Sequence, residues 1–150
     1  MIHWYVFANQ RSARILSRIN NQKAVRLIEE KTNPLSGVKT SELLRHKAGV
    51  SVKARGAHSI GRHMTTRKHD IRQEVLDQFA KEVAKDLNNA NLTHRFDTLT
   101  LIADPSMCGS LKKNLSKDSF RLLRGCISKD IENETSNELK QFVLTETGHL

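Results

Sequence analysis

The sequence has little of what marks specialised proteins. Two cysteines and two prolines occur in 150 residues, and aromatic side chains make up 5%. Two cysteines are too few for the disulfide framework of a small secreted domain. Cys108 and Cys126 lie in separate apolar segments with no metal-ligand spacing, so reduced, buried thiols in a cytosolic protein are expected. No apolar run approaches the roughly 18 to 20 residues that cross a bilayer, so no membrane span is expected. The opening Met1-Ile2-His3-Trp4-Tyr5-Val6-Phe7 lacks a basic leader segment and runs straight into Asn9-Gln10-Arg11, unlike a secretory signal. A cytoplasmic location follows as the expectation. Gly-x-x-x-x-Gly-Lys, Gly-x-Gly-x-x-Gly and the nucleophile elbow are all missing. Nucleotide hydrolysis and serine acyl transfer therefore have no motif support, and no cofactor is expected.

What is present fits one globular domain over 1–150, with 37% hydrophobic and 27% charged residues. Ile2 to Ala8 is β-branched, aromatic or apolar almost throughout, which predicts a buried strand fed by Trp4, Tyr5 and Phe7. Ala13 to Ile19 partly alternates, Asn20-Asn21 signals a turn, and Ala24 to Glu29 predicts a third strand of an antiparallel meander. From about Arg67 to Asn89, Ile71, Val75, Leu76, Phe79, Ala80, Val83, Ala84 and Leu87 recur at helical spacing. Lys81, Lys85, Glu74 and Asp77 fall on the other side of that helix. Asp97 to Ala103 reads as a buried strand, and Asp104-Pro105 as a helix start that buries Met107, Cys108, Leu111 and Leu115. Arg121 to Ile127 predicts a strand, and Thr135 with Glu138 forms a capping box for a last helix through Leu139, Phe142 and Val143. The order β-β-β-loop-α-β-α-β-α implies an α/β mixed sheet with helices packed on it. That is the three-layer plan of ribonuclease-H-like and translation-component domains.

The charge is concentrated. The formal net charge is +9, yet Lys39 to Arg72 carries nine basic residues against two acidic ones, a local +7. Four of the seven histidines (His46, His58, His63 and His69) fall there too, and so do Gly49, Gly56 and Gly61. Residues 35 to 66 hold few bulky apolar side chains and read as a long basic loop. Such a loop is an electrostatic footprint for a phosphate backbone, the alternative being a merely solvated loop. The candidate RNA-binding residues are Lys47, Lys53, Arg55, Gly56, His58, Ser59, Arg62, His63, Arg67 and Lys68. With the aromatic residues assigned to the core, binding would rest on shape and phosphate contacts, without DNA specificity. The spacings of His58, His63 and His69 match no common zinc pattern, and no metal is expected. A two-metal nuclease on such a sheet needs a carboxylate on the first strand. Ile2 to Ala8 has none, and Asp97 and Asp104 suit strand-edge and helix-cap roles better.

The segments Trp4 to Leu16, Phe96 to Ala103 and Leu111-Lys112-Lys113-Asn114-Leu115-Ser116 resemble the bacterial host attachment protein family. That family is regarded as a branch of the release-factor-like domains, related to the middle domain of archaeal and eukaryotic class I release factors and Pelota. The resemblance covers nearly the whole chain through short, apolar motifs. In the family an Asp often stands where this chain has Asn9, so a carboxylate role there is lost. The related release factors carry Arg-Gly-Gly-Gln-Ser-x-x-Arg in a basic loop before the long helix, and its Gln helps hydrolyse peptidyl-tRNA. Here Arg55-Gly56-Ala57-His58-Ser59-Ile60-Gly61-Arg62 stands in that place, with Ala57 and His58 replacing the second Gly and the Gln. The resemblance thus implies contact with ribosomal RNA or tRNA without hydrolysis. His58 as a general base is the alternative that would restore a peptidyl-tRNA hydrolase. The family name implies a further alternative, an interaction protein that influences attachment to hosts or surfaces indirectly. Oligomeric state stays open.

Overall fold

The computed structural model describes residues 1–20, 22–51 and 60–147. Among these, five strands form one sheet: β1 (Ile2–Ala8), β2 (Ser12–Ile19), β3 (Val25–Thr32), β4 (Thr98–Ala103) and β5 (Leu123–Ser128), in the order β3-β2-β1-β4-β5. The first three strands pair antiparallel, whereas β1–β4 and β4–β5 are parallel. The helices are α1 (Thr40–Ser51), α2 (Ile60–Leu92), α3 (Pro105–Asn114), α4 (Lys117–Arg121) and α5 (Ser136–Thr147). The α/β mixed sheet expected from the sequence is the observed one.

Strand alternation divides the core. Trp4, Val6 and Ala8 pack with Phe79, Ala80, Val83 and Leu87 of α2 and with Met107 and Leu111 of α3. Tyr5 and Phe7 point the other way, onto Leu139 and Val143 of α5. Because successive side chains of a strand alternate between faces, one seven-residue strand supplies both apolar layers. All eight apolar positions named for the long helix, from Ile71 to Leu87, are buried, while Glu74, Asp77, Lys81 and Lys85 are exposed. Asp104 caps α3, its carboxylate accepting from Met107 N–H at 2.9 Å. Thr135 opens α5, its hydroxyl oxygen accepting from Glu138 N–H at 3.2 Å.

Three readings are corrected. Residues 35 to 66 are not one long loop. Pro34–Gly37 is a 3-10 turn, Thr40–Ser51 is helical, and α2 begins at Ile60, seven residues before Arg67. These stretches lack the continuous apolar stripe that reveals a helix in sequence. What anchors α1 is a small apolar contact: Leu43 packs on Ile71 and Val75 of α2, flanked by Val38 and Leu44. Second, α4 intervenes before the last strand, with the Ser116 hydroxyl accepting from Ser119 N–H at 3.1 Å. Arg121 therefore ends a helix, and the strand starts at Leu123. Third, Cys108 and Cys126 are not separate thiols but form a disulfide, with Cα atoms 6.5 Å apart. Packing α3 over the face of β5 that carries Cys126 brings together residues 18 apart in sequence.

Candidate nucleic-acid interface

The described part of the basic segment comprises α1 and the part of α2 up to Arg72, the two helices meeting at Leu43, Ile71 and Val75. Of the candidate residues, Lys47 falls in α1, while Arg62 and His63 fall in the first turn of α2. Arg67 and Lys68 follow on α2, both exposed. Lys53, Arg55, Gly56, His58 and Ser59 lie outside the described residues, and with them the release-factor-like motif and the His58 general base. Lys39, Arg45 and His69 are exposed, so the described part of the segment adds positive charge on α1 as well as α2.

One cation of the segment has a structural task that sequence reasoning missed. Arg72 donates from Nε to the Thr40 hydroxyl at 2.9 Å and from a terminal nitrogen to the Val38 carbonyl at 2.8 Å. It ties α2 to the start of α1 and is a spacer rather than a phosphate contact. A linear charge count cannot separate it from Arg67 or Lys68, because the distinction depends on which way a helix position faces.

Arg67, Lys68, His69 and Asp70 are four consecutive exposed residues, more than one full turn of α-helix. With 3.6 residues per turn these side chains point around the whole circumference, so α2 here stands clear of the described remainder. From Ile71 onward burial returns with helical period. Between α1, α2 and α3 lies a groove of about 950 Å³, with Leu35, Val38, Leu43, Ile71 and Val75 among its lining.

The carboxylates near the ends of β1, β4 and β5 are arranged differently. Asn9, Asp104, Asp130 and Glu132 share a cleft of about 190 Å³. Asn9 is a turn residue: its Oδ1 accepts from Arg11 and Ser12 N–H, both at 2.8 Å, and its Nδ2 donates to the Ile131 carbonyl. An Asp could keep the first two bonds but has no proton for the third. Asp104 is committed to the α3 cap, and Asp97 accepts from Ile2 N–H at 2.7 Å. Among the described residues no group of three or more His, Cys, Asp or Glu side chains is placed to hold a metal ion. Also among them, no helix is long and apolar enough to cross a membrane.

Comparison with known proteins gives the chain a family. The family model described as "Protein required for attachment to host cells" matches residues 4–143. The chain belongs to this host-attachment family. No curated protein matches it. Among solved structures it is similar to an archaeal protein, at 8% identity and a TM-score of 0.50, over 97% of this chain and 34% of that one. It also matches an archaeal translation termination factor, at 6% identity and a TM-score of 0.47, over 99% of this chain and 39% of that one. A Ppx/GppA phosphatase of Aquifex aeolicus follows at 14% identity and a TM-score of 0.36, over 85% of this chain and 36% of that one. The first of these likenesses shows the fold alone. This member of the host-attachment family spans little more than a third of the solved chains it matches.

Proposed function

We propose that this host-attachment family member is a non-enzymatic, release-factor-like domain that binds RNA, ribosomal RNA or tRNA, through the segment Lys39 to Arg72. The observation that carries the reading is the local +7, displayed in part by Arg67 and Lys68 on the exposed helical turn Arg67 to Asp70. Clustered Lys and Arg on a projecting element release counterions from a phosphate backbone, and that gain depends on number and accessibility rather than on base identity. Arg72, held by α1, sets the position of the projecting turn. The test is co-sedimentation with ribosomes at low salt. The reading requires the native chain to travel with the particles, and a chain with Lys53, Arg55, Arg62 and Arg67 neutralised to stay in the supernatant. Equal recovery of the two would end it.

A second reading rests on the family description: an interaction protein that influences attachment to host cells indirectly. An attachment assay with the chain neutralised at Lys53, Arg55, Arg62 and Arg67 separates the two, since attachment that survives the loss of ribosome binding supports the second reading alone.

A further inference from the structure

The groove between α1, α2 and α3 has two walls, each fixed by its own contacts. On one side Leu43 of α1 packs on Ile71 and Val75, with Val38 beside it. On the other, α3 runs alongside α2 in the same direction. The Ser110 hydroxyl donates to Asp77 Oδ1 at 2.8 Å and Ser106 Oγ lies 3.4 Å from Gln73 Oε1, each pair 33 residues apart in sequence. A constant offset means that the two helices advance in step, so the next turn brings Asn114 level with Lys81. Lys113 directly precedes Asn114, and both lysines line the groove. From Ile71 to Lys81 the groove floor follows α2 for about 15 Å.

Apolar and cationic side chains are sorted along that length. Leu35, Val38, Leu43, Ile71 and Val75 line one end, and Leu35 is 41% exposed there. Leu43, Ile71 and Val75 form a cluster of their own, apart from the main core under the sheet. Lys81 and Lys113 stand at the other end, both exposed, and among the described residues neither has an ion-pair partner. The carboxylates of the rim are placed differently. Asp77 already accepts from Ser110 and, at 3.0 Å, from Gln73 Nε2, and Glu74 is not free. Glu42, on the first turn of α1, is left as a single carboxylate beside the apolar end. A volume of about 950 Å³ lies within the range of about 300–1,000 Å³ that holds small molecules, where apolar walls supply area and a few polar groups fix orientation.

We propose that this groove binds a small amphiphilic anion, an unbranched apolar chain ending in a carboxylate. The chain lies over Leu35, Leu43, Ile71 and Val75, and the carboxylate sits between Lys81 and Lys113. Two exposed ammonium groups hold an anion only weakly in water, so the head sets the direction of binding and the covered methylenes supply the affinity. A cationic head has no such place. It would meet two free ammonium groups at one end, or turn the chain around to reach Glu42 and lay its apolar tail against them. The site does not depend on the Lys39 to Arg72 reading, since none of the cations assigned to RNA lines the groove.

The experiment follows the methyl groups of Leu35, Leu43 and Val75 by NMR in the full chain during titration with dodecanoate below its micelle concentration. The expected result is a saturable shift of these methyls, with decanoate binding about tenfold more weakly for its two missing methylenes. Dodecanol should bind about fivefold more weakly than dodecanoate, and dodecylammonium more weakly still. Replacing both lysines, Lys81→Gln with Lys113→Gln, should cost dodecanoate about fivefold and leave dodecanol unchanged. Gln78→Trp, at an exposed position that lines the groove, should fill it and abolish binding of both. The proposal is overturned by the absence of a saturable shift, by equal affinity for dodecanoate and dodecylammonium, or by dodecanoate affinity that is unchanged in either variant. The chain neutralised at Lys53, Arg55, Arg62 and Arg67 must keep its dodecanoate response even where it has lost RNA. Loss of that response would assign the anion to the basic segment and overturn the groove site, so the two proposals fail separately.

Discussion

The two ends of α2 obey different physics within one continuous helix. From Leu76 to Ala90 the helix is fixed by the sheet, and its apolar positions are buried against Trp4, Val6, Leu99 and Leu101. From Arg67 to Asp70 every described side chain is exposed, and the nearest anchorage is Arg72 with the small Leu43, Ile71 and Val75 contact. Stability belongs to the first region and charge to the second. A substitution should therefore affect folding or binding according to the side of Ile71 on which it falls.

The largest effect should come from the core. Phe79→Ala, at a side chain 2% exposed, is expected to cost about 3–5 kcal/mol in urea unfolding. Arg67→Ala and Lys68→Ala should each stay within about 0.5 kcal/mol of the native chain. A comparable loss in the two sets would break the division. Next comes Arg72→Ala at the boundary, which removes two hydrogen bonds from a half-buried guanidinium and should cost about 1–2 kcal/mol in all. Its expected signature is local: amide exchange in α1 should quicken while β1 and β4 keep their protection. Asp104→Ala, which removes the α3 cap, should cost about 1 kcal/mol.

The smallest effect concerns Glu29, where burial first, then the nearby Asp86 carboxylate, raises the carboxyl pKa above its ordinary 4.5, with Lys31 opposing. A raised folded pKa means that the folded chain holds the proton more tightly than the unfolded chain does. The stabilisation is therefore complete below the ordinary value and is lost as pH rises through the raised one. Glu29→Gln should flatten the fall in stability across that window, by less than the Asp104 substitution costs. Urea midpoints measured on both sides of it give the answer.

Sequence pattern revealed the elements that bury a face. The stripe from Ile71 to Leu87 and the run from Ile2 to Ala8 declare their period because the core demands it, and Asp104-Pro105 declares its cap because the backbone does. Thr40–Ser51 stayed hidden because Leu43 and Leu44 are too small an apolar signal against Arg45, His46, Lys47 and Gly49. The Cys108–Cys126 pairing depends on how α3 lies over β5, which no spacing encodes. For the candidate site, composition located the charge but could not show that Arg72 faces inward to α1 while Arg67 and Lys68 face outward. Nor could it show the groove that brings Lys81 and Lys113 together, because that arises from packing between distant helices.

The central claim is that the basic end of α1 and α2 contacts a phosphate backbone, and the salt dependence of RNA binding tests it most directly. For the native chain the logarithm of the association constant should fall linearly with the logarithm of salt concentration. Neutralising Lys53, Arg55, Arg62 and Arg67 together should reduce that slope by about 3, near 0.7 for each lost contact to a single strand. Folding stability should be unchanged. An equal slope in the two proteins would contradict the account.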